Sequence, residues 1–162
     1  PGYFDFEEFA DLKNVEIINE VDLEEPMLKM IGKMFEDKKK EPLVEKITSL
    51  KLVRVREFNI DKKDFDSIES ATELMDKNLQ SKKWDRIIRT KGKKSFTNVY
   101  VKKGSDEEYV GLVVISLDMI GRVTFVNIVG NIDFEAIGKM SGVNIPQINK
   151  LKNKEEKKKQ DQ

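Results

Sequence analysis

The chain has 162 residues and contains neither cysteine nor histidine. Disulfide frameworks, thiol nucleophiles and cysteine- or histidine-based zinc and iron–sulfur sites are therefore excluded. Imidazole general bases and the Ser-His-Asp triad are excluded with them. Proline occurs four times and tryptophan once, and no apolar run approaches the roughly 20 residues that span a bilayer. Net charge is zero at neutral pH, so the positive excess of a nucleic-acid binder is missing and no nucleic-acid partner is expected.

What the chain does have is charge of both signs, 37 % of its residues, distributed unevenly. Between residues 1 and 28, nine acidic side chains stand against Lys13 alone, a net −8. Between Lys82 and Lys94, Lys82, Lys83, Arg86, Arg89, Lys91, Lys93 and Lys94 stand against Asp85, a net +6. Hydrophobic residues, at 38 %, suffice for one core, and the length suits one domain. A single domain over residues 1–145 is expected. The Lys-rich polar stretch 146–162 reads as a frayed or disordered tail.

Periodicity predicts the elements. Val15 to Val21 reads as a strand, with Val15, Ile17 and Val21 on one face. Pro26 suits a first helical turn. Met27, Leu28, Met30, Ile31, Met34 and Phe35 then form an apolar stripe at helical spacing. Pro42 opens a short helix with Leu43, Val44 and Ile47 inward. Leu50 to Ile60 is a second strand, with Val53 and Val55 on one face and Leu52 and Phe58 on the other. Asp61 is the expected N-cap of a helix whose buried stripe is Phe65, Ile68, Ala71, Thr72, Met75 and Leu79. Four strands follow, Trp84–Thr90, Phe96–Lys103, Tyr109–Leu117 and Arg122–Val129, joined by short Gly-bearing turns that make antiparallel neighbours. Leu112 to Ile115 is apolar on both faces and predicts a central strand. The charged Trp84–Lys103 hairpin belongs nearer an edge. A last short helix runs from Phe134 to Met140. The order β-α-α-β-α-β-β-β-β-α predicts an α+β fold, an antiparallel sheet of about five to six strands with helices packed on one face.

Few residues suggest chemistry. Met27, Met30 and Met34 have the spacing of a soft-metal ladder, but a flexible core filling under an amphipathic helix accounts for them. Asp61, Asp64 and Asp66 lack the Gly and terminal Glu of a calcium loop, and helix capping explains them. Gly138-Lys139-Met140-Ser141-Gly142 fits neither phosphate-binding fingerprint, and no Gly-x-Ser-x-Gly elbow occurs. No catalytic residue, metal site or cofactor is expected. Lys82, Lys83, Arg86, Arg89, Lys93 and Lys94, interleaved with Trp84, Phe96 and Tyr100, mark a candidate interaction surface. Asn127, set between Val126 and Ile128, is a candidate structural polar residue, since a buried amide must be hydrogen-bonded.

Four stretches resemble one family. Pro1-Gly2-Tyr3-Phe4-Asp5-Phe6, Leu52-Val53-Arg54-Val55-Arg56, the junction from Leu79 through Trp84-Asp85-Arg86-Ile87-Ile88-Arg89, and Phe125 to Asp133 are similar, in order, to the bacterial exported family catalogued as domain-of-unknown-function family 4252. The resemblance covers residues 1 to 140 and implies export to the periplasm or cell envelope, with no known enzyme activity. The start at Pro1, without an initiator Met, fits a removed leader or tag, and membrane proximity through such a leader or a lipid anchor is open. The expectation is a non-enzymatic interaction or sensory module whose partner is an envelope protein or a second copy of the chain. Two alternatives stand beside it: a small hydrophobic-ligand or lipid-binding domain with its pocket between Met27–Phe35 and the sheet, and, more weakly, an enzyme using carboxylates and Lys.

Overall fold

The computed structural model describes residues 1–6, 15–35 and 48–134. The predicted helix at Leu43–Ile47, the helix beyond Phe134 and the polar tail lie outside the described residues. Pro1–Ile132 form one compact unit, and Asp133–Gln162, nearly all outside the described residues, a second.

Six strands build a single antiparallel sheet: β1 (Glu16–Glu24), β2 (Leu50–Asn59), β3 (Trp84–Lys91), β4 (Phe96–Lys103), β5 (Tyr109–Leu117) and β6 (Arg122–Gly130). Helix α1 (Glu25–Phe35) follows β1. A 3-10 turn at Lys62–Asp64 leads from β2 into helix α2 (Phe65–Ser81). The spatial order is β1-β2-β6-β5-β4-β3. The architecture is α+β, and the strand-rich second half is a meander in which each strand pairs with its successor. Short turns dictate that arrangement. β5 takes an interior place between β4 and β6, and β3 is an edge strand.

α2 covers one face of the sheet. Its Ile68, Met75 and Leu79 are fully buried, with Thr72 nearly so. They meet Phe58 of β2, Tyr100 of β4, Val113, Ile115 and Leu117 of β5, and Val123 and Phe125 of β6. Full burial of one such side chain is worth about 1.5–3 kcal/mol. Asp61 precedes the 3-10 turn, but its side chain caps nothing. It lies 3.9 Å from Lys63 Nζ instead.

Two further expectations are corrected. Irregular pairing between Ile17 and Asn19 shifts the register of β1, so Ile17 lies beside Phe58 whereas Val21 lies beside Val55. Neighbouring residues across a ladder share a face, and the irregularity therefore puts Ile17 and Val21 on opposite faces. In α1, Leu28 is the buried apolar side chain, and Met27, Met30 and Met34 are 49 %, 62 % and 69 % exposed. The helix turns its methionines outward because Leu28 supplies the inward contact, so they fill no core.

The chain's first residues complete the core. Phe4 and Phe6 are buried with the α2-side residues. The Phe4 ring stacks on Phe125 at 6.4 Å and meets Trp84 edge-on at 6.5 Å. Asn127, fully buried on β6, ties this segment down: Oδ1 accepts from the Phe4 N–H, and Nδ2 donates to the carbonyls of Gly2 and Leu112, at 3.0, 3.0 and 3.1 Å. Only glycine suits the crossing. Gly2 has φ +82°, and a Cβ on Gly111 would stand 2.6 Å from Gly2 Cα and 2.7 Å from the Trp84 ring.

Candidate functional site

The edge strand β3 carries the decisive local irregularity. Arg86 lies beside Tyr100, but the next regular pair is Ile88 with Val99, so Ile87 is the extra residue of a bulge. A bulge reverses which side the following residues present. Arg86 would otherwise share a face with Ile88. Instead Arg86, Arg89 and Lys91, opposite Tyr100, Asn98 and Phe96, all lie on the face that α2 covers. Ile88 is sent to the other face and buried.

Between α2 and the β3–β4 hairpin lies a groove of about 540 Å³. Its helix wall carries Asp66, Glu69, Glu73, Asp76 and Lys77, with Lys62 from the 3-10 turn. Arg86, Arg89, Lys91, Lys93 and Lys94 form the hairpin wall. Phe65, Phe96 and Leu117 supply apolar lining, and Thr72 and Asn98 are the buried polar residues among the lining. The turn that bears Lys93 and Lys94 is closed by the Gly92 N–H donating to the Ser95 carbonyl at 2.8 Å.

A polar network crosses one part of the groove. Asp76 Oδ1 accepts from the Tyr100 hydroxyl at 2.6 Å and from Arg86 Nη1 at 2.8 Å, and its Oδ2 accepts from Gln80 at 2.9 Å. Asn98 donates to the Tyr100 oxygen at 3.3 Å. Burial, reinforced by the adjacent Asp76 carboxylate, pushes the Tyr100 phenol above its ordinary value. Thr72 donates back to the Ile68 carbonyl within α2. A second bridge, Lys91 to Glu69 at 2.5 Å, joins the two walls.

The six cations singled out by charge do not form one surface. Arg86, Arg89, Lys93 and Lys94 gather at the groove. Lys82 and Lys83 sit at the far end of β3, where α2 ends. There Lys82 Nζ stands 5.7 Å from the Phe4 ring centroid, and Lys102 Nζ donates to the carbonyls of Lys82 and Lys83. At about 3.3 Å per residue, Lys83 stands roughly 10 Å along the chain from Arg86 and roughly 20 Å from Arg89. Sequence reasoning missed the groove's helix wall. Asp66, Glu69, Glu73 and Asp76 recur at helical spacing beside the buried stripe, a signal that was present.

Two of the four acids of β1, Glu20 and Asp22, are met within the sheet. Arg56 pairs with Glu20 at 2.9 Å and Asp22 at 2.8 Å, and Arg54 pairs with Asp22 at 2.9 Å while donating to the Tyr3 hydroxyl at 2.7 Å. The Arg56 hydrogen bond, joined by that of Arg54 and by the charges of both guanidinium groups, holds the Asp22 carboxyl below its usual range against the opposing effect of burial. Among the described residues, no three acidic side chains converge as a metal site. No described helix is long and apolar enough to cross a membrane.

Fold and groove together define an α+β sheet domain with a charge-lined cleft between its long helix and an edge hairpin. The chain belongs to the family described as Domain of unknown function (DUF4252), which it matches over residues 9–140. That span holds three of the four stretches that carry the resemblance, and Pro1–Phe6 precede it. No curated protein matches the chain, and no solved structure does.

Proposed function

We propose that this protein is an exported binding module of the bacterial envelope, without enzymatic activity, and that its working surface is the groove between α2 and the β3–β4 hairpin. The observation that carries the reading is an asymmetry of charge pairing. Arg86 and Lys91 are neutralised across the groove by Asp76 and Glu69. Arg89, Lys93 and Lys94 line the same groove and make no ion pair with any described residue. Cations concentrated without counter-ions raise the local concentration of an anionic ligand. Residence in the envelope rests on the family likeness alone.

The carboxylates of the groove favour binding over catalysis. Asp76 accepts from three donors, so both of its oxygens are engaged by the protein itself. Glu69 is held by Lys91.

Photo-crosslinking in cells that make the full-length precursor tests the reading. A reactive side chain at Lys93 is expected to capture a defined partner, and one at Lys51, on β2, is not. Identical capture from both positions, or none from Lys93, overturns the proposal. Fractionation of the same cells is expected to place the protein in the envelope, and recovery from the cytosol overturns that part.

A further inference from the structure

The groove has a more particular chemistry than a basic patch. Its volume, about 540 Å³, falls within the roughly 300–1,000 Å³ typical of ligand sites. Its two walls differ. On the helix wall the cations Lys62 and Lys77 equal in number the carboxylates Asp66 and Glu73, and none of the four makes an ion pair with a described residue. The hairpin wall keeps Arg89, Lys93 and Lys94 without an ion pair, which leaves the groove an excess of three positive charges. Between the walls lie Phe65, Phe96 and Leu117.

We infer that this groove takes an acidic, extended peptide segment of a partner protein, with its carboxylates against Arg89, Lys93 and Lys94 and an apolar side chain between Phe65 and Phe96. The inference rests on the binding-module reading above and names the partner's chemistry. Three features select such a segment. The unpaired cations demand negative charge, and Arg89 offers a planar fork that matches a carboxylate. The apolar lining demands an uncharged side chain close to those carboxylates, as an alternating extended sequence provides. β3, which forms one wall, is an edge strand whose outer backbone groups meet no further strand of this sheet, the arrangement used when an extended peptide adds to a sheet.

The helix wall argues against a broad anionic surface. Asp66 and Glu73 face the groove across from the cations, so a flat anionic membrane that reached Arg89 would also meet these carboxylates. A narrow chain with acids on one side avoids that repulsion.

Fluorescence anisotropy with the purified full-length chain tests the inference. The probe is a short fluorescein-labelled peptide in which Glu alternates with Val around a central Phe. Its control carries Gln at each Glu. The acidic probe is expected to bind, and the Gln control to bind at least about tenfold more weakly, as befits loss of charge-assisted hydrogen bonds. Arg89→Gln, and separately the pair Lys93→Gln and Lys94→Gln, are expected to weaken the acidic probe by about tenfold each. Lys83→Gln, at the far end of the hairpin, is expected to leave it unchanged. All three sites are exposed, and circular dichroism checks that each variant is folded. Equal binding of the two peptides, undiminished binding by the groove variants, or stronger binding to vesicles of phosphatidylglycerol than to the peptide overturns the inference. Capture at Lys93 in cells of a partner with no acidic segment also overturns it, while leaving the binding-module reading in place.

Discussion

Asn127 Oδ1 accepts the backbone N–H of Phe4 at 3.0 Å across 123 positions of sequence. With its Nδ2 bonds to Gly2 and Leu112, this one amide fastens the first residues to the last strand inside the core. Asn127→Leu removes all three bonds and strands buried backbone groups. Unfolding in urea is expected to show a loss of about 2–4 kcal/mol. Hydrogen exchange at Phe4 is expected to rise far more than at Val113. Equal protection at Phe4 in the variant would contradict this role.

Gly111 gives a second, independent handle on the same crossing. A methyl group there collides with Gly2 Cα and the Trp84 ring. Gly111→Ala is expected to cost about 1–3 kcal/mol, as overpacking generally does. The fluorescence of Trp84, the one tryptophan, reports whether the N-terminal segment has been displaced.

Tyr100 makes the alkaline behaviour predictable. Its folded phenol holds its proton above the ordinary value of 10.0. The unfolded chain therefore loses that proton first as pH rises. The stabilisation is complete below about pH 10 and is lost progressively above it. An ultraviolet titration is expected to show one tyrosine that ionises only with alkaline unfolding, and Tyr100→Phe to abolish that delayed step. At neutral pH the same substitution is expected to cost about 1 kcal/mol, because Asp76 keeps Arg86 and Gln80.

Asp22 sets the acid side. Its folded carboxyl is depressed below 3.8 by Arg56 and then Arg54. The stabilisation is present above the ordinary carboxylate value and is lost as pH falls through the folded one. The pair is partly exposed, so Asp22→Asn is expected to cost about 1 kcal/mol or less at neutral pH. Comparison of urea midpoints at neutral and acidic pH is expected to show a shallower acid loss in the variant. High salt is expected to narrow the difference between the two proteins.

Local patterns made most of this fold legible. The α2 stripe of Ile68, Thr72, Met75 and Leu79, the central character of Leu112–Ile115 and the edge position of Trp84–Lys91 each follow from residues close in sequence. What stayed hidden depends on register and long-range approach. The irregularity after Ile17 and the bulge at Ile87 each insert one residue's offset, and alternation read straight through them assigns the wrong face. Arg89 reaches the groove only through such an offset. Phe4 and Phe6 alternate as core residues should, but their partners Trp84 and Phe125 are more than 70 residues away. The outward methionines of α1 show the limit of periodicity: it finds an apolar stripe and does not say which part turns inward.

The strand order also imposes a schedule on folding. β3 to β6 can assemble from neighbours joined by short turns, a process with little loop closure to overcome. β2 pairs with β1 on one side and on the other with β6, although residues 60–121 separate β2 from β6 in the chain, so that joint closes a long loop. β6 is thus the seam between the locally connected meander and the β1–β2 pair, and Asn127 on that seam also grips the N-terminal residues. Slowing the β2–β6 step would leave residues 1–6 accessible to proteases while the meander is already protected.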